Sequence, residues 1–292
     1  MQNEIGIAGW LYSRQILHDK TLTLLDFPSV CASHGIKTVE LCSAFFDSQK
    51  AQYLNELRRV LEDQDLSVRN IAVDMGNLAG TDPSIRRTDI ESLKQWFYTA
   101  SAVNSPAIRI NTGHADDSDA LNRVVDAYQE LADVGQQAGV RLLMENHGGL
   151  SAHSDGLSAI LARLDSDWFG TCPDTANFLP DDSEDGMRVL APRAFSCHVK
   201  VFNHSLDGQQ SWDRQANGDM RSYNLKASLK ILKDADYQGP LCIERSVPKE
   251  PDLDSTTGIH DTIQYLQDLL ARISNVTFSC ELKDIRNLGV LL

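Results

Sequence analysis

Leu142-Leu143-Met144-Glu145-Asn146-His147-Gly148-Gly149 runs three large apolar residues straight into a carboxylate, an amide and an imidazole, with two glycines behind them. With Val140, the apolar run reads as a short strand buried on both faces, as in a parallel sheet covered on either side. A Glu at the end of such a strand is rarely buried unless something pairs with it. The glycines let the backbone turn sharply and approach whatever sits there. Taken alone, the stretch suits a strand end with a salt bridge as well as it suits a site. The same pattern recurs along the chain, and the recurrence decides the fold.

Apolar runs of strand length begin near residues 4, 38, 68, 107, 140, 168, 195 and 240. Helical segments follow them at 22–33, 49–62, 87–103, 119–138, 154–164, 184–190, 224–235 and 259–273. Eight strand–helix units in strict alternation predict a parallel sheet, and eight is the number that closes a TIM barrel. An open doubly wound sheet needs fewer strands and usually a Gly-rich phosphate loop, yet neither G-x-G-x-x-G nor G-x-x-x-x-G-K occurs. The expected class is α/β, a single (β/α)8 TIM barrel over 1–273 with no linker or composition break. A short C-terminal extension, 274–292, follows as a packed tail or an oligomer contact, which leaves a homo-oligomer open.

Charge narrows the partners. The 292 residues are 42% apolar, enough for a sizeable core, with 27 Lys and Arg against 41 Asp and Glu, a formal net charge of −14. So acidic a surface repels phosphate backbones and anionic lipid, and neither nucleic acid nor a membrane is expected as partner. No apolar run approaches the roughly 20 residues of a bilayer span. Met1-Gln2-Asn3-Glu4 lacks the basic start and apolar stretch of a secretory signal. Cys31, Cys42, Cys172, Cys197, Cys242 and Cys280 are scattered without a CxxC pair, and four of them fall in expected strands. A buried thiol there acts as a small hydrophobe. These features predict a reducing, cytoplasmic compartment and no disulfides.

In an α/β barrel the chemistry gathers at the C-terminal ends of the strands. At or beside those ends stand Glu40, Asp74, Arg109, Glu145, Asp174, His198 and Glu244. Each alone has a plain explanation. Asp174 follows Pro173 and suits a turn, His198 suits a core position, and Glu244 could pair with Arg245. Glu40 and Asp74 suit polar layers of the barrel mouth. The combination is harder to explain away, because four consecutive strands each offer one metal-competent group: Glu145, Asp174, His198 and Glu244. Three anions in one water-poor place are unfavourable unless a cation sits between them. Three carboxylates and one imidazole suit Mn²⁺, Mg²⁺ or Co²⁺ better than structural zinc.

In this order and at these strand ends, M-E-N-H-G-G (144–149), C-P-D-T-A-N (172–177), C-H-V-K (197–200) and C-I-E (242–244) resemble the xylose isomerase-like barrels. The closer likeness is to the sugar-phosphate isomerase/epimerase branch, which includes ketose 3-epimerases, inosose dehydratases and keto-glycoside-cleaving relatives. It covers about residues 4–273. The resemblance implies one divalent ion, Mn²⁺ foremost, held by Glu145, Asp174, His198 and Glu244, with Glu145 and Glu244 also the acid/base pair. The chain departs from the ketose epimerases at two points. Asn177 stands where they commonly carry a His, and Lys200 with His204 stands where they place an Arg. The endonuclease branch, with three zincs and a basic face, does not match this acidic chain.

The chemistry common to such enzymes is proton abstraction next to a carbonyl, through an enediolate that the metal stabilises. The expected activity is thus a metal-dependent isomerase or epimerase of a sugar or keto-sugar. If a β-substituent leaves instead, the same site is a lyase, dehydrating a keto-polyol such as an inosose or cleaving a 3-keto-glycoside. A non-catalytic carbohydrate-binding barrel would not need two carboxylates flanking one metal. Beside the ligands, His147 and Lys200 are candidates for acid, base or oxyanion partner. Glu40, Arg109, His114, Asn177 and Trp212 are candidates for substrate contact, Trp212 from a long polar loop at 202–223 expected to act as a mobile lid. No Arg or Lys cluster at the seventh and eighth strands marks a phosphate site, so an unphosphorylated sugar or cyclitol is expected.

Overall fold

Each apolar run becomes a strand because its aliphatic residues can be covered on both faces. The structure, a computed structural model, describes residues 3–214 and 220–287, with side chains described throughout except at 213–214, 220 and 275–287. Six strands come first: Ile5–Ala8 (β1), Thr38–Cys42 (β2), Ser67–Val73 (β3), Ala107–Ile110 (β4), Arg141–Met144 (β5) and Phe169–Thr171 (β6). Cys197–Lys200 (β7) follows, then a hairpin of Gln209–Arg214 (β8) and Met220–Asn224 (β9), and finally Leu241–Arg245 (β10). The eight parallel strands pair in the order β6-β5-β4-β3-β2-β1-β10-β7. The two edges of that sheet then meet. Thr171 bridges to Ala194 and Asp174 to His198, both in parallel. Phe195 N donates to Thr171 O at 2.9 Å and His198 N to Pro173 O at 2.9 Å, which closes the expected barrel.

Outside it lie α1 (Phe27–Ser33), α2 (Ala51–Asp63), α3 (Pro83–Ala102), α4 (Ala120–Ala138), α5 (Ser154–Leu161), α6 (Ser183–Leu190), α7 (Leu225–Asp234) and α8 (Ile259–Asn287). α4 shows how the sequence seats them. Val124, Tyr128, Leu131 and Gly135 recur at helical spacing and are all buried. Gly135 is required there, because a Cβ would lie 2.5 Å from Val140 O. The fully buried Tyr128 donates its hydroxyl to Ile110 O at 2.8 Å, so the ring is covered without an orphaned polar atom. Burial of each such large side chain stabilises the fold by roughly 1.5–3 kcal/mol.

Four boundaries differ from expectation. The first helix begins at Phe27, since Pro28 suits an opening turn and Asp26 Oδ2 ties back to Thr23 N at 3.1 Å. α3 begins at Pro83, where Asp82 Oδ1 accepts from Ser84 N at 2.8 Å and Ile85 N at 3.0 Å. α8 continues past residue 273 to Asn287 without a break, and 288–292 lie outside the described residues. The 202–223 connection is not structureless, because β8 and β9 pair inside it with Gln210 opposite Tyr223 and Trp212 opposite Arg221. The buried Gln210 anchors that hairpin: its Oε1 accepts from Phe202 N at 2.8 Å, and its Nε2 donates to Tyr265 of α8 at 3.2 Å. Among the described residues five cysteines are free and buried, and no helix is long and apolar enough to cross a membrane.

Two interiors result. An aliphatic and aromatic core fills the space between sheet and helices. The lumen of the barrel holds a small apolar group, Ala107, Leu143 and Cys172 against Phe195, and otherwise polar side chains. Contacts between strands that are not neighbours must cross this lumen. Glu40 of β2 reaches His198 of β7, and Arg69 of β3 reaches Phe195 O just before β7.

Candidate active site

The mouth of the lumen collects the polar strand ends. Glu145 follows β5, Asp174 lies beyond β6, His198 is in β7 and Glu244 in β10. One ligand atom from each lies within 4.8 Å of all the others, so the four groups could hold a single metal ion. Glu145 and Asp174 are fully buried and His198 is 1% exposed. Local sequence explains the placement of Asp174. Pro173 has no N–H to continue the strand ladder. Asn146 then clamps the two strand ends together: its Oδ1 accepts from Asp174 N at 2.8 Å and its Nδ2 donates to Asp174 O at 2.9 Å. Asp174 Oδ1 accepts from Ala176 N at 2.7 Å and Asn177 N at 3.0 Å, which leaves Oδ2 for the lumen.

Two cations and an imidazole balance part of the charge. Arg109, 3% exposed, brings Nε to 3.0 Å from Glu145 Oε2 and pairs through its terminal nitrogen with Asp74. Lys200 Nζ lies 2.6 Å from Asp174 Oδ2, 2.8 Å from Glu244 Oε2 and 2.8 Å from Asn177 Oδ1. His198 Nδ1 is 3.0 Å from Glu145 Oε1 and 3.8 Å from Glu244 Oε2, while its Nε2 faces Glu40 at 2.5 Å. Five carboxylates (Glu40, Asp74, Glu145, Asp174, Glu244) thus meet Arg109, Lys200 and at most one imidazolium, an excess of two negative charges. A dication between them offsets most of that excess, which grows to three when His198 gives up a proton to bind it.

The proton affinities follow from this crowding. Burial pushes Asp174 up, Lys200 opposes it and Glu244 and Glu145 reinforce it, to about 6. Burial would also raise Glu145, but Arg109 and His198 outweigh it and hold it at about 2. Glu244 is likewise held low, against its burial, by Lys200 and His198. For His198 burial alone would lower the value, yet Cys172, Glu40, Glu244 and Glu145 raise it well above the usual range. The carboxylates carry that effect, because burial keeps Cys172 a neutral thiol, pushed up to about 12.

The residues present suit a divalent ion. Glu145 Oε2 and Glu244 Oε2 are buried and met by cations, Arg109 Nε at 3.0 Å and Lys200 Nζ at 2.8 Å. Buried oxygens of this kind suit a further cation, which donates no proton. The donor set, three carboxylates and an imidazole, is that of a hard cation.

Beside the quartet opens a cavity of about 360 Å³, lined by Trp10, Asp74, Met75, Arg109, Asn111, His114, His147 and Glu244 among others. Gly148, at φ +79, lets this wall form, because a Cβ there would stand 2.8 Å from the His114 ring. The cavity therefore joins Glu244, Arg109, His114 and His147 from the sequence reading, with Lys200 and Asn177 behind Glu244. Its lining does not include Glu145, Asp174 and His198 of the quartet, nor Glu40 and Trp212. Glu40, 1% exposed, lies beneath His198 inside the lumen. Trp212 stacks on Phe202, centroids 4.2 Å apart and planes 4° from parallel, and meets Tyr223 edge-on at 5.9 Å. Asn146, Trp10 and Met75 were not singled out from sequence. An amide directly after a strand-end Glu, and large apolar residues just past the first and third strands, were the available signals.

Known proteins share the fold. Nothing among curated proteins matches the chain. Solved structures superpose on nearly all of it at low identity. An L-ribulose 3-epimerase is 16% identical at a TM-score of 0.73, covering 96% of this chain and 98% of its own. A xylose isomerase-like TIM barrel protein from Mycobacterium smegmatis in complex with magnesium is 15% identical at 0.64, covering 93% and 98%. A 3-keto-D-glucoside 4-epimerase from E. coli is 12% identical at 0.64, covering 94% and 100%. At these identities the likeness establishes the shared fold. The model of the xylose isomerase-like TIM barrel family matches residues 28–269, most of the closed barrel and all four residues of the quartet, and the chain belongs to that family.

Proposed function

We propose that the chain is a divalent-metal-dependent isomerase or epimerase of an unphosphorylated keto-sugar or cyclitol. The observation that carries the reading is a carboxylate, Glu244, which belongs to the convergent quartet and also lines the cavity. Glu145, Asp174, His198 and Glu244 would hold the ion, Mn²⁺ by preference for hard oxygens with one imidazole. Bound there, it would polarise a substrate carbonyl and stabilise the charge that collects on its oxygen.

The remaining steps fall to the chain's own side chains. Glu244 takes the proton from the carbon beside the carbonyl, and Glu145, on the opposite side of the quartet, is the group that returns one. Arg109 holds Glu145 in place through the 3.0 Å ion pair. His147 and His114, on the cavity wall, supply hydrogen bonds to substrate hydroxyls. Trp10 and Met75, both more than two-fifths exposed, offer an apolar surface to one face of the sugar. Phosphate is disfavoured on charge. The cationic side chains closest to the cavity, Arg109 and Lys200, are committed to Asp74 and Glu145 and to Asp174 and Glu244.

Incubating the Mn²⁺-loaded protein with a panel of keto-sugars in D₂O and following the products by NMR tests the reading. Deuterium at the carbon next to the carbonyl, with a new epimer or isomer, is the expected result. Release of water or an aglycone would make the enzyme a lyase, and no exchange with any keto-sugar would overturn the proposal.

A further inference from the structure

We infer that Glu40 is a positioning residue, which dictates through a hydrogen bond how His198 meets a divalent ion. The inference rests on the metal-binding reading of the quartet. Glu40 sits within β2, 1% exposed and outside the cavity lining, with both oxygens already engaged. Both of its oxygens are committed across the lumen to one face of β7. Oε2 is 2.5 Å from His198 Nε2, and Oε1 accepts from the Ser196 hydroxyl, two residues earlier on the same strand face.

The two nitrogens of His198 thereby acquire different tasks. Nδ1 faces Glu145 and Glu244, and Nε2 faces Glu40. A carboxylate accepts and cannot donate, so both nitrogens carry a proton while no ion is bound; an ion displaces the one on Nδ1, and the one on Nε2 stays with Glu40. The Nδ1 lone pair is then the one left to point into the quartet. Ser196 donates to the other carboxylate oxygen and restrains it, and the negative charge beside Nε2 makes Nδ1 a better donor to a cation. A glutamine at 40 would remove that charge and could turn its NH₂ towards Nε2, which favours the other tautomer. If Glu40 were only a partner for a buried imidazolium, its loss would lower thermal stability and leave the geometry around a bound ion untouched.

The test uses the full-length protein stripped of metal, titrated with Mn²⁺ by calorimetry, and loaded with Co²⁺ for its visible absorption. Glu40→Gln is expected to bind Mn²⁺ roughly 10–100-fold more weakly, the usual loss for an outer-shell carboxylate. Its Co²⁺ band should also shift in position or intensity, a change that a purely structural role would not produce. Ser196→Ala keeps the charge but frees one oxygen, and is expected to weaken Mn²⁺ by a smaller factor in the same direction. Should Glu40→Gln fail to fold, Ser196→Ala decides, and wild-type affinity with an unchanged Co²⁺ spectrum in it overturns the inference. His198→Ala separates the two levels of the argument. If it binds Mn²⁺ like wild type, the quartet reading itself fails. If it loses Mn²⁺ while Glu40→Gln keeps wild-type affinity and spectrum, only the role of Glu40 is wrong.

Discussion

The two ends of the barrel lumen are built from the same strands and behave oppositely. At the lower end Arg69 lays its guanidinium 3.6 Å from the centre of the Phe195 ring, Arg141 approaches the same ring at 5.0 Å, and Arg69 Nε donates to Phe195 O at 3.0 Å. Cations are met there by a ring face and a carbonyl. At the upper end five carboxylates outnumber their positive partners. Polarity inside a barrel therefore does not by itself mark a site. Polarity left unbalanced does, and it invites a cation that the protein does not supply.

Substitutions at the two ends should consequently fail in different ways. The largest effects are expected at the top, in rate. Glu244→Gln and Glu145→Gln keep volume and fold, and each should lose roughly 10²–10⁴-fold in turnover at saturating Mn²⁺. Near wild-type turnover in Glu145→Gln with metal bound would shift its role to His147 on the cavity wall. At the bottom, Phe195→Ala should cost about 3–5 kcal/mol of stability in chemical denaturation. The surviving folded protein should nevertheless bind Mn²⁺ with unchanged affinity, and a parallel loss of binding would erase the distinction between the ends. Mn²⁺ at a hundred times its Kd should raise unfolding free energy by about 2.7 kcal/mol in the wild type and in Phe195→Ala. His198→Ala should show no such increment in a thermal melt. The smallest effect concerns the hairpin: Trp212→Leu should cost no more than about 1.5 kcal/mol and leave KM unchanged, because its ring is engaged with Phe202. A KM raised tenfold would return Trp212 to the substrate.

The contrast also explains what the sequence disclosed. Strand positions were legible because buried parallel strands are unbroken apolar runs, spaced by helices that carry a different period. The quartet was legible because Glu145 and Asp174 follow immediately on such runs. Depth was not legible. Glu145 comes after Met144, the last residue of β5, whereas Glu40 comes two residues before Cys42, the last of β2. Relative to the strand ends the two glutamates differ by three residues, about 10 Å along a strand. The partner of Glu40 lies 158 positions away, on a strand that touches β2 only across the interior. The hairpin within 202–223 escaped notice because its strands are polar, and its anchor is a single buried glutamine, Gln210. The lack of a stop near 273 reflects a helix that keeps its pattern beyond the barrel it covers.

Metal content tests the central claim most directly. Full-length protein purified, stripped, reloaded with Mn²⁺ and freed of excess should retain about one ion per chain by elemental analysis, as four convergent ligands from one chain require. Asp174→Asn and His198→Ala, prepared in parallel, should retain almost none. A wild type that holds no Mn²⁺, or a His198→Ala protein that holds a full complement, would contradict the account.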